Sequence, residues 1–152
     1  MRERRLHLAS PDDAASLGAR IAAQLEAGDA VLLEGDLGAG KTTLARAIIA
    51  ALTGETDAPS PTYTLVQSYE AQAGFGLLHA DLYRLEDTGE LDELGLDEAL
   101  DQGAALIEWP DRLGAWRPAD RLDIRLEETG DGGRGVRLAA HGSWETRLDS
   151  LL

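Results

Sequence analysis

Residues 35–42 read Gly35-Asp36-Leu37-Gly38-Ala39-Gly40-Lys41-Thr42, a residue-for-residue fit to G-x-x-x-x-G-K-[ST]. Immediately upstream lies Ala30-Val31-Leu32-Leu33, a continuous apolar run of the kind a strand shows when both its faces are covered. Downstream, Leu44, Ala47, Ile48, Ala51 and Leu52 keep helical spacing from Lys41 onward. Strand, glycine-rich turn and helix is the order a phosphate cradle needs. Glycines let the backbone curl so that successive N–H groups point at one anion, and the helix N-terminus adds partial positive charge. In this arrangement Lys41 reaches the β- and γ-phosphates and the Thr42 hydroxyl is a ligand to Mg²⁺. A glycine-rich turn with an exposed lysine would leave the same letters, but Lys41 is the only lysine beside 13 arginines. Its placement here favours the cradle.

The remaining composition narrows the function. At 152 residues the chain is sized for one domain, and 43% hydrophobic with 28% charged residues is an ordinary globular balance. No apolar run approaches the roughly 18 residues of a membrane span. The basic start, Met1-Arg2-Glu3-Arg4-Arg5, is not followed by the apolar core of a secretory leader, so a cytoplasmic location is expected. The chain has no cysteine, and His7, His79 and His141 are scattered, which argues against structural zinc. Fourteen basic against 28 acidic residues give a net charge of −14, which opposes free-standing binding of a nucleic-acid backbone.

Around the phosphate loop the chain alternates helical and extended patterns. Leu6 and Leu8 mark a short strand, and Ser10-Pro11-Asp12-Asp13 reads as an N-cap, Pro at N1 and an acidic N3. Leu17, Ile21 and Leu25 then share a helix face that Gly28 is expected to stop, with Gly18 a weak point inside the pattern. Residues 53–61 have loop composition. Strands are expected over 64–69, 75–79, 104–107, 122–126 and 136–138, a short helix over 91–100, and a weak helix toward Leu152. The expectation is an α/β fold: a three-layer phosphate-loop NTPase domain over residues 1–152, with a mostly parallel central sheet and antiparallel C-terminal strands.

Phosphate-loop enzymes place a carboxylate at the end of a neighbouring strand to hold Mg²⁺ or its water shell. Two apolar stretches end in one: Leu77-Leu78-His79-Ala80-Asp81 and Ala104-Ala105-Leu106-Ile107-Glu108. An acid directly after a buried strand lies at the carboxyl edge of the sheet, where ligands of open α/β folds bind. The spacing does not say which of Asp81 and Glu108 meets the metal and which handles the attacking water. Ser60-Pro61-Thr62 lies where nucleotide switches place a hydroxyl that senses the γ-phosphate, although a plain proline turn explains it equally. Tyr63, Tyr83 and Trp109 flank these segments, and Trp109 is placed for a lid or a partner contact. His79 reads as a core histidine. GTP selectivity through [NT]-K-x-D needs a second lysine that the chain lacks, so ATP is the expected nucleotide.

Five blocks in order resemble the bacterial TsaE ATPases: Gly35 to Thr43, Ser60-Pro61-Thr62-Tyr63-Thr64-Leu65-Val66, His79-Ala80-Asp81-Leu82-Tyr83-Arg84-Leu85, Gly95-Leu96-Asp97-Glu98 and Ile107-Glu108-Trp109-Pro110. The resemblance extends from residue 31 to about 112, and the tail from Leu113 carries no recognisable motif. It implies an ATPase needed to make N6-threonylcarbamoyladenosine in tRNAs that read codons starting with adenine. Such proteins bind the TsaB–TsaD heterodimer and hydrolyse ATP to reset it between cycles, without performing the transfer. By matching positions it implies that Gly35, Asp36, Leu37, Gly38, Ala39, Gly40, Lys41, Thr42 and Thr43 surround the nucleotide. Thr62 lies in a switch-like loop and Trp109 lies nearby. Thr42 and Glu108 serve Mg²⁺, and Asp81, with Lys41 and Glu108, serves hydrolysis. Tyr63 departs from the more familiar phenylalanine. The charge agrees, since an acidic chain in a tRNA pathway reaches RNA through a protein partner. Competing readings are a small-molecule kinase, for which Arg84 and Arg112 are the available arginines, and a nucleotide-dependent binding module that does not hydrolyse.

Overall fold

The computed structural model describes residues 1–36, 38–54, 66–83, 85 and 94–152. Leu37, the Ser60-Pro61-Thr62-Tyr63 block, Arg84 and the expected starts of one strand at Thr64 and one helix at Leu91 lie outside the described residues. The elements are β1 (Arg2–Leu8), α1 (Pro11–Gln24), β2 (Ala30–Glu34), α2 (Lys41–Thr53), β3 (Val66–Glu70), β4 (Gly76–Asp81), α3 (Leu96–Gln102), β5 (Gly103–Glu108), β6 (Arg121–Glu128) and β7 (Arg134–His141).

The strands form one mixed sheet in the order β1-β7-β6-β2-β5-β4-β3. Its middle, β6-β2-β5-β4, is parallel. The hairpin partner β7 is antiparallel to β6, as expected of the C-terminal strands. Two further antiparallel pairings, β1 on β7 and β3 on β4, close the two sides of the sheet.

Burial follows strand alternation. Val31 and Leu33 of β2 face α1 and α2, together with Leu122, Ile124 and Leu126 of β6 and Val136 and Leu138 of β7. Leu32 of β2 and Ala105 and Ile107 of β5 face the other way, toward Leu96 of α3 and Leu113 of the 3-10 turn Pro110–Leu113. Helices therefore lie on both faces of the parallel strands, which explains why β2 and β5 read as unbroken apolar runs.

Local chemistry sets the helix ends. Ser10 caps α1 with Pro11 in the first turn, and Asp12 and Asp13 supply the acidic start. The helix stops at Gln24, before Gly28, because the C-cap Leu25 turns extended and buries its side chain in the core. The weak C-terminal helix is two 3-10 turns, Gly142–Thr146 and Leu148–Leu151. Arg147 between them donates to both carboxylate oxygens of buried Asp29, at 2.7 and 2.9 Å, and stacks on Trp144.

The glycine inside α1 has a packing reason. A Cβ at Gly18 would lie 2.6 Å from the Ala47 Cβ and 3.0 Å from the Ala47 carbonyl carbon on α2. Gly18 lets the two helices cross closely, and α2 is the helix that carries Lys41 and Thr42. Replacing Gly18 by Ala gains about 1 kcal/mol of helix propensity. The overlap falls on helix backbone, which cannot swing aside, and overpacking of this kind costs about 1–3 kcal/mol. We expect Gly18→Ala to lower unfolding free energy in urea, net, despite its better propensity. A stabilised variant would show that the crossing is looser than described.

Candidate functional site

The centre of the site is the start of α2. Its N-cap, Gly40, sits in the left-handed region at φ 103°, makes no side-chain cap bond and is followed by no acidic residue in the first turn. Helix α1, by contrast, has both a serine cap and two acids at the same place. In a chain with 28 acidic residues, the positive end of α2 is left without an anion from its own first turn. Gly35 enters the loop where a Cβ would lie 2.6 Å from the Leu126 carbonyl oxygen, so the turn runs tight against β6.

Lys41, only 5% exposed, turns its ammonium back on the loop. It donates to the carbonyl oxygens of Gly35 and Asp36, the latter at 2.8 Å. Its Nζ also lies 4.1 Å from the centre of the Trp109 ring. Burial pulls the Lys41 amine below its usual range, while the carboxylates of Glu108 and Asp81 push it back up. Trp109 reaches this position through a backbone φ of 62°, the single positive value outside glycine among the described residues. Its N–H donates to the Leu33 carbonyl at the end of β2, and Pro110 follows at once. Such a conformation is held at a cost of about 1–3 kcal/mol. Tyr83, packed 4.9 Å from the indole centre, extends the aromatic surface outward.

Both acids stand at the carboxyl edge of the sheet. Asp81 and Glu108 are register partners across β4 and β5, and Glu108 also pairs with Leu33 of β2. Glu108 is 1% exposed. Its Oε1 accepts from the Thr42 hydroxyl at 3.1 Å, and its Oε2 lies 2.8 Å from His79 Nε2. Asp81 accepts from the Tyr83 N–H at 3.0 Å. Burial raises the Asp81 carboxyl above the usual range, opposed by that N–H bond and reinforced by neighbouring Glu108. His79 is buried, as a core histidine should be, but sequence reasoning missed its contact with Glu108. Strand alternation along β4 puts His79 and Asp81 on one face.

The Thr42 hydroxyl with the Glu108 and Asp81 carboxylates is a hard oxygen set, suited to Mg²⁺ and unsuited to soft metals. No group of three or more His, Cys, Asp or Glu among the described residues forms a self-sufficient metal cage.

A second feature was not legible in advance. On the far side of Gly40 and Thr43 opens a mainly apolar hollow, walled by Ser10 before α1, Ala14 in its first turn, and Leu126 and Arg134 of the C-terminal hairpin. Arg134 donates to the Ala39 carbonyl at 3.0 Å and reaches the Gly38 carbonyl at 3.4 Å, bracing the loop from outside. Arg112, one of the two arginines a kinase lid would use, is exposed and 4.0 Å from Asp111. No helix among the described residues is long and apolar enough to cross a membrane.

Comparison with known proteins bears on the whole arrangement. A family model described as threonylcarbamoyl adenosine biosynthesis protein TsaE matches residues 8–136. The chain is similar to a tRNA threonylcarbamoyladenosine biosynthesis protein TsaE of Mycobacterium leprae, 42% identical over 124 residues, covering 76% of this chain and 77% of that one. It is similar to the protein of that name from Rickettsia felis, 36% identical over 96% of this chain and 85% of the relative. The Bacillus subtilis protein of the same name is 35% identical over 94% and 89% respectively. The fold is similar to the crystal structure of Bacillus subtilis YdiB, with a TM-score of 0.80 and 31% identity over 99% of this chain and 94% of that one.

The ammonium resting on the Trp109 ring supplies a direct reporter. An anion that draws Lys41 off the indole face changes the surroundings of Trp109, whereas Trp144 is buried against Arg147 and Trp116 is bonded to Asp97. Titration with magnesium ATP should change tryptophan emission, and Trp109→Phe should remove the change while Trp116→Phe keeps it. A signal carried by Trp116 or Trp144 would contradict the arrangement.

Proposed function

The chain belongs to the TsaE family of tRNA threonylcarbamoyladenosine biosynthesis proteins, and from that premise we propose that it is a Mg²⁺-dependent phosphate-loop ATPase. We take residues 1–152 as one phosphate-loop NTPase domain. The observation that carries the reading is the convergence of four groups on the acid-free start of α2: Lys41, the Thr42 hydroxyl, Glu108 and Asp81.

The chemistry follows from what each group does. The N–H groups at the start of α2 bind the phosphate tail, with Gly35 to Thr43 shaping the cradle. Lys41 exchanges its bonds to the Gly35 and Asp36 carbonyls for the β- and γ-phosphate oxygens and spreads the charge that develops there. Thr42 and Glu108, already paired, would hold Mg²⁺. When bound, that ion neutralises phosphate charge during in-line attack by water. Asp81, beside Glu108 but bonded to a different partner, orients the attacking water and accepts its proton. Thr62 is assigned to sensing the γ-phosphate by family resemblance. Trp109 covers the lysine.

The hollow beside Gly40 and Thr43 takes the nucleoside, with Ala14 and Leu126 against the base and Ser10 and Arg134 at polar positions. ATP is preferred because the chain lacks the second lysine of the guanine-reading motif. No arginine of this chain is poised over the cradle among the described residues, so hydrolysis is slow alone and faster on the TsaB–TsaD heterodimer. ATP turnover there resets the heterodimer between cycles. At a net charge of −14 the chain meets tRNA only through that complex, in the cytoplasm.

Phosphate release measured with and without the heterodimer tests the central reading, and full activity of the isolated chain would refute partner stimulation. Lys41→Ala should weaken ATP binding about 100-fold, or ~2.7 kcal/mol, because a buried phosphate charge loses its partner. Asp81→Asn should keep ATP affinity within about threefold while hydrolysis falls about 10²–10⁴-fold. The nucleoside assignment is checked separately with Ala14→Phe, which fills the hollow. Calorimetry should show weakened ATP binding and unchanged binding of inorganic tripolyphosphate, and equal loss of both would remove the nucleoside from this hollow.

A further inference from the structure

His79 occupies a position where an apolar side chain would pack more simply. It lies midway along β4, between β5 and β3, 1% exposed, and its Nδ1 has no hydrogen-bond partner among the described residues. A buried polar atom left unpaired costs stability, so the imidazole is held at a disadvantage that only its other nitrogen offsets. That nitrogen meets a single group: Nε2 lies 2.8 Å from Oε2 of Glu108.

The register explains the contact. His79 pairs with Leu106 across β4 and β5, and Asp81 pairs with Glu108. His79 therefore stands diagonally across from Glu108 on the face that looks toward α2, within reach of a long side chain. A carboxylate oxygen only accepts, so the hydrogen of the pair sits on Nε2 and His79 donates. Glu108 is thereby pinned at both oxygens, Oε2 to β4 through His79 and Oε1 to the first turn of α2 through Thr42. Without the first contact, the carboxylate can rotate about its terminal bond and leave Thr42.

We propose that His79 is a positioning residue for the metal-side carboxylate: its Nε2–H fixes the rotation of Glu108 so that Oε1 stays beside the Thr42 hydroxyl where Mg²⁺ is to be held. The proposal rests on the reading of Glu108 as a metal-side group. Partners one step behind a metal ligand commonly change metal affinity by about 10–100-fold when removed. The effect of His79 should therefore appear in the metal dependence of binding and not in the grip on phosphate.

The test compares His79→Leu, His79→Gln, His79→Asn and Glu108→Gln in the full chain. Calorimetric ADP binding is measured without metal and across a Mg²⁺ series, beside hydrolysis over the same series. His79→Leu should bind metal-free ADP within about twofold of the unaltered chain, while the Mg²⁺ concentration for half-maximal binding and hydrolysis rises about tenfold or more. His79→Gln places an amide N–H near the former Nε2 and should return the value to within about threefold. His79→Asn is too short to reach Oε2 and should behave like Leu. If the Leu variant does not fold, the contrast between Gln and Asn decides. Unchanged Mg²⁺ dependence in the folded Leu or Asn variant overturns the proposal, as does equal loss of metal-free ADP binding in the Leu, Gln and Asn variants, which marks a packing role. If Glu108→Gln itself leaves Mg²⁺ dependence unchanged, the metal-side reading of Glu108 fails, and the proposal fails with it for that separate reason.

Discussion

The positive end of α2 is the constraint around which the rest is arranged. The chain carries twice as many acidic as basic residues, yet no acid enters the first turn of this helix and no side chain caps it. Left alone, unpaired N–H groups and the partial charge behind them are a liability that Asp or Ser ordinarily removes, as Ser10, Asp12 and Asp13 do for α1. Keeping α2 bare preserves room for an outside anion. It also requires α2 to be held by packing, which the close crossing at Gly18 and the buried Leu44, Ile48 and Ile49 provide.

Charge near that end is placed one strand away instead of in the helix. Asp81 and Glu108 come from the ends of β4 and β5, rigid parallel strands whose register puts the two acids side by side. Glu108 is bonded on both oxygens and Lys41 is satisfied by loop carbonyls. Burial lowers the Lys41 amine against the pull of Glu108 and Asp81, and it raises the Asp81 carboxyl against the Tyr83 N–H with Glu108 adding to the rise, so the charged groups here are mutually dependent. Removing one charge from such a cluster changes the electrostatic surroundings of the rest.

What the sequence makes legible is local. The eight residues from Gly35 to Thr42, with apolar strand before and helical period after, place the loop, and an acid closing each of two buried strands places Asp81 and Glu108 at the sheet edge. Contacts between segments distant along the chain are not written in any periodicity. The pairing of β1 with β7, across more than a hundred residues, depends on matching edges. Gly18 looked like a weakness because helix propensity is visible in sequence and a helix crossing is not. Alternation puts His79 on the right face, but its diagonal approach to Glu108 needs the register of β4 on β5. The left-handed Trp109 runs against local preference before a proline, so only the fold around it could reveal it.

The same distinction explains the last quarter of the chain. Its sequence carries no recognisable motif after Leu113, which invites treating residues 113–152 as a structural remainder. In the fold, β6 lies directly beside β2, so its Leu126 carbonyl presses on Gly35 and leaves no room for a side chain there. The start of β7 sends Arg134 to the outer carbonyls of Gly38 and Ala39, and the C-terminal turns anchor Asp29 at the foot of β2 through Arg147. While Lys41 takes the Gly35 and Asp36 carbonyls, those of Gly38 and Ala39 beside the helix start need another donor. Arg134 is that donor, so the hairpin without a motif sets the shape of the motif.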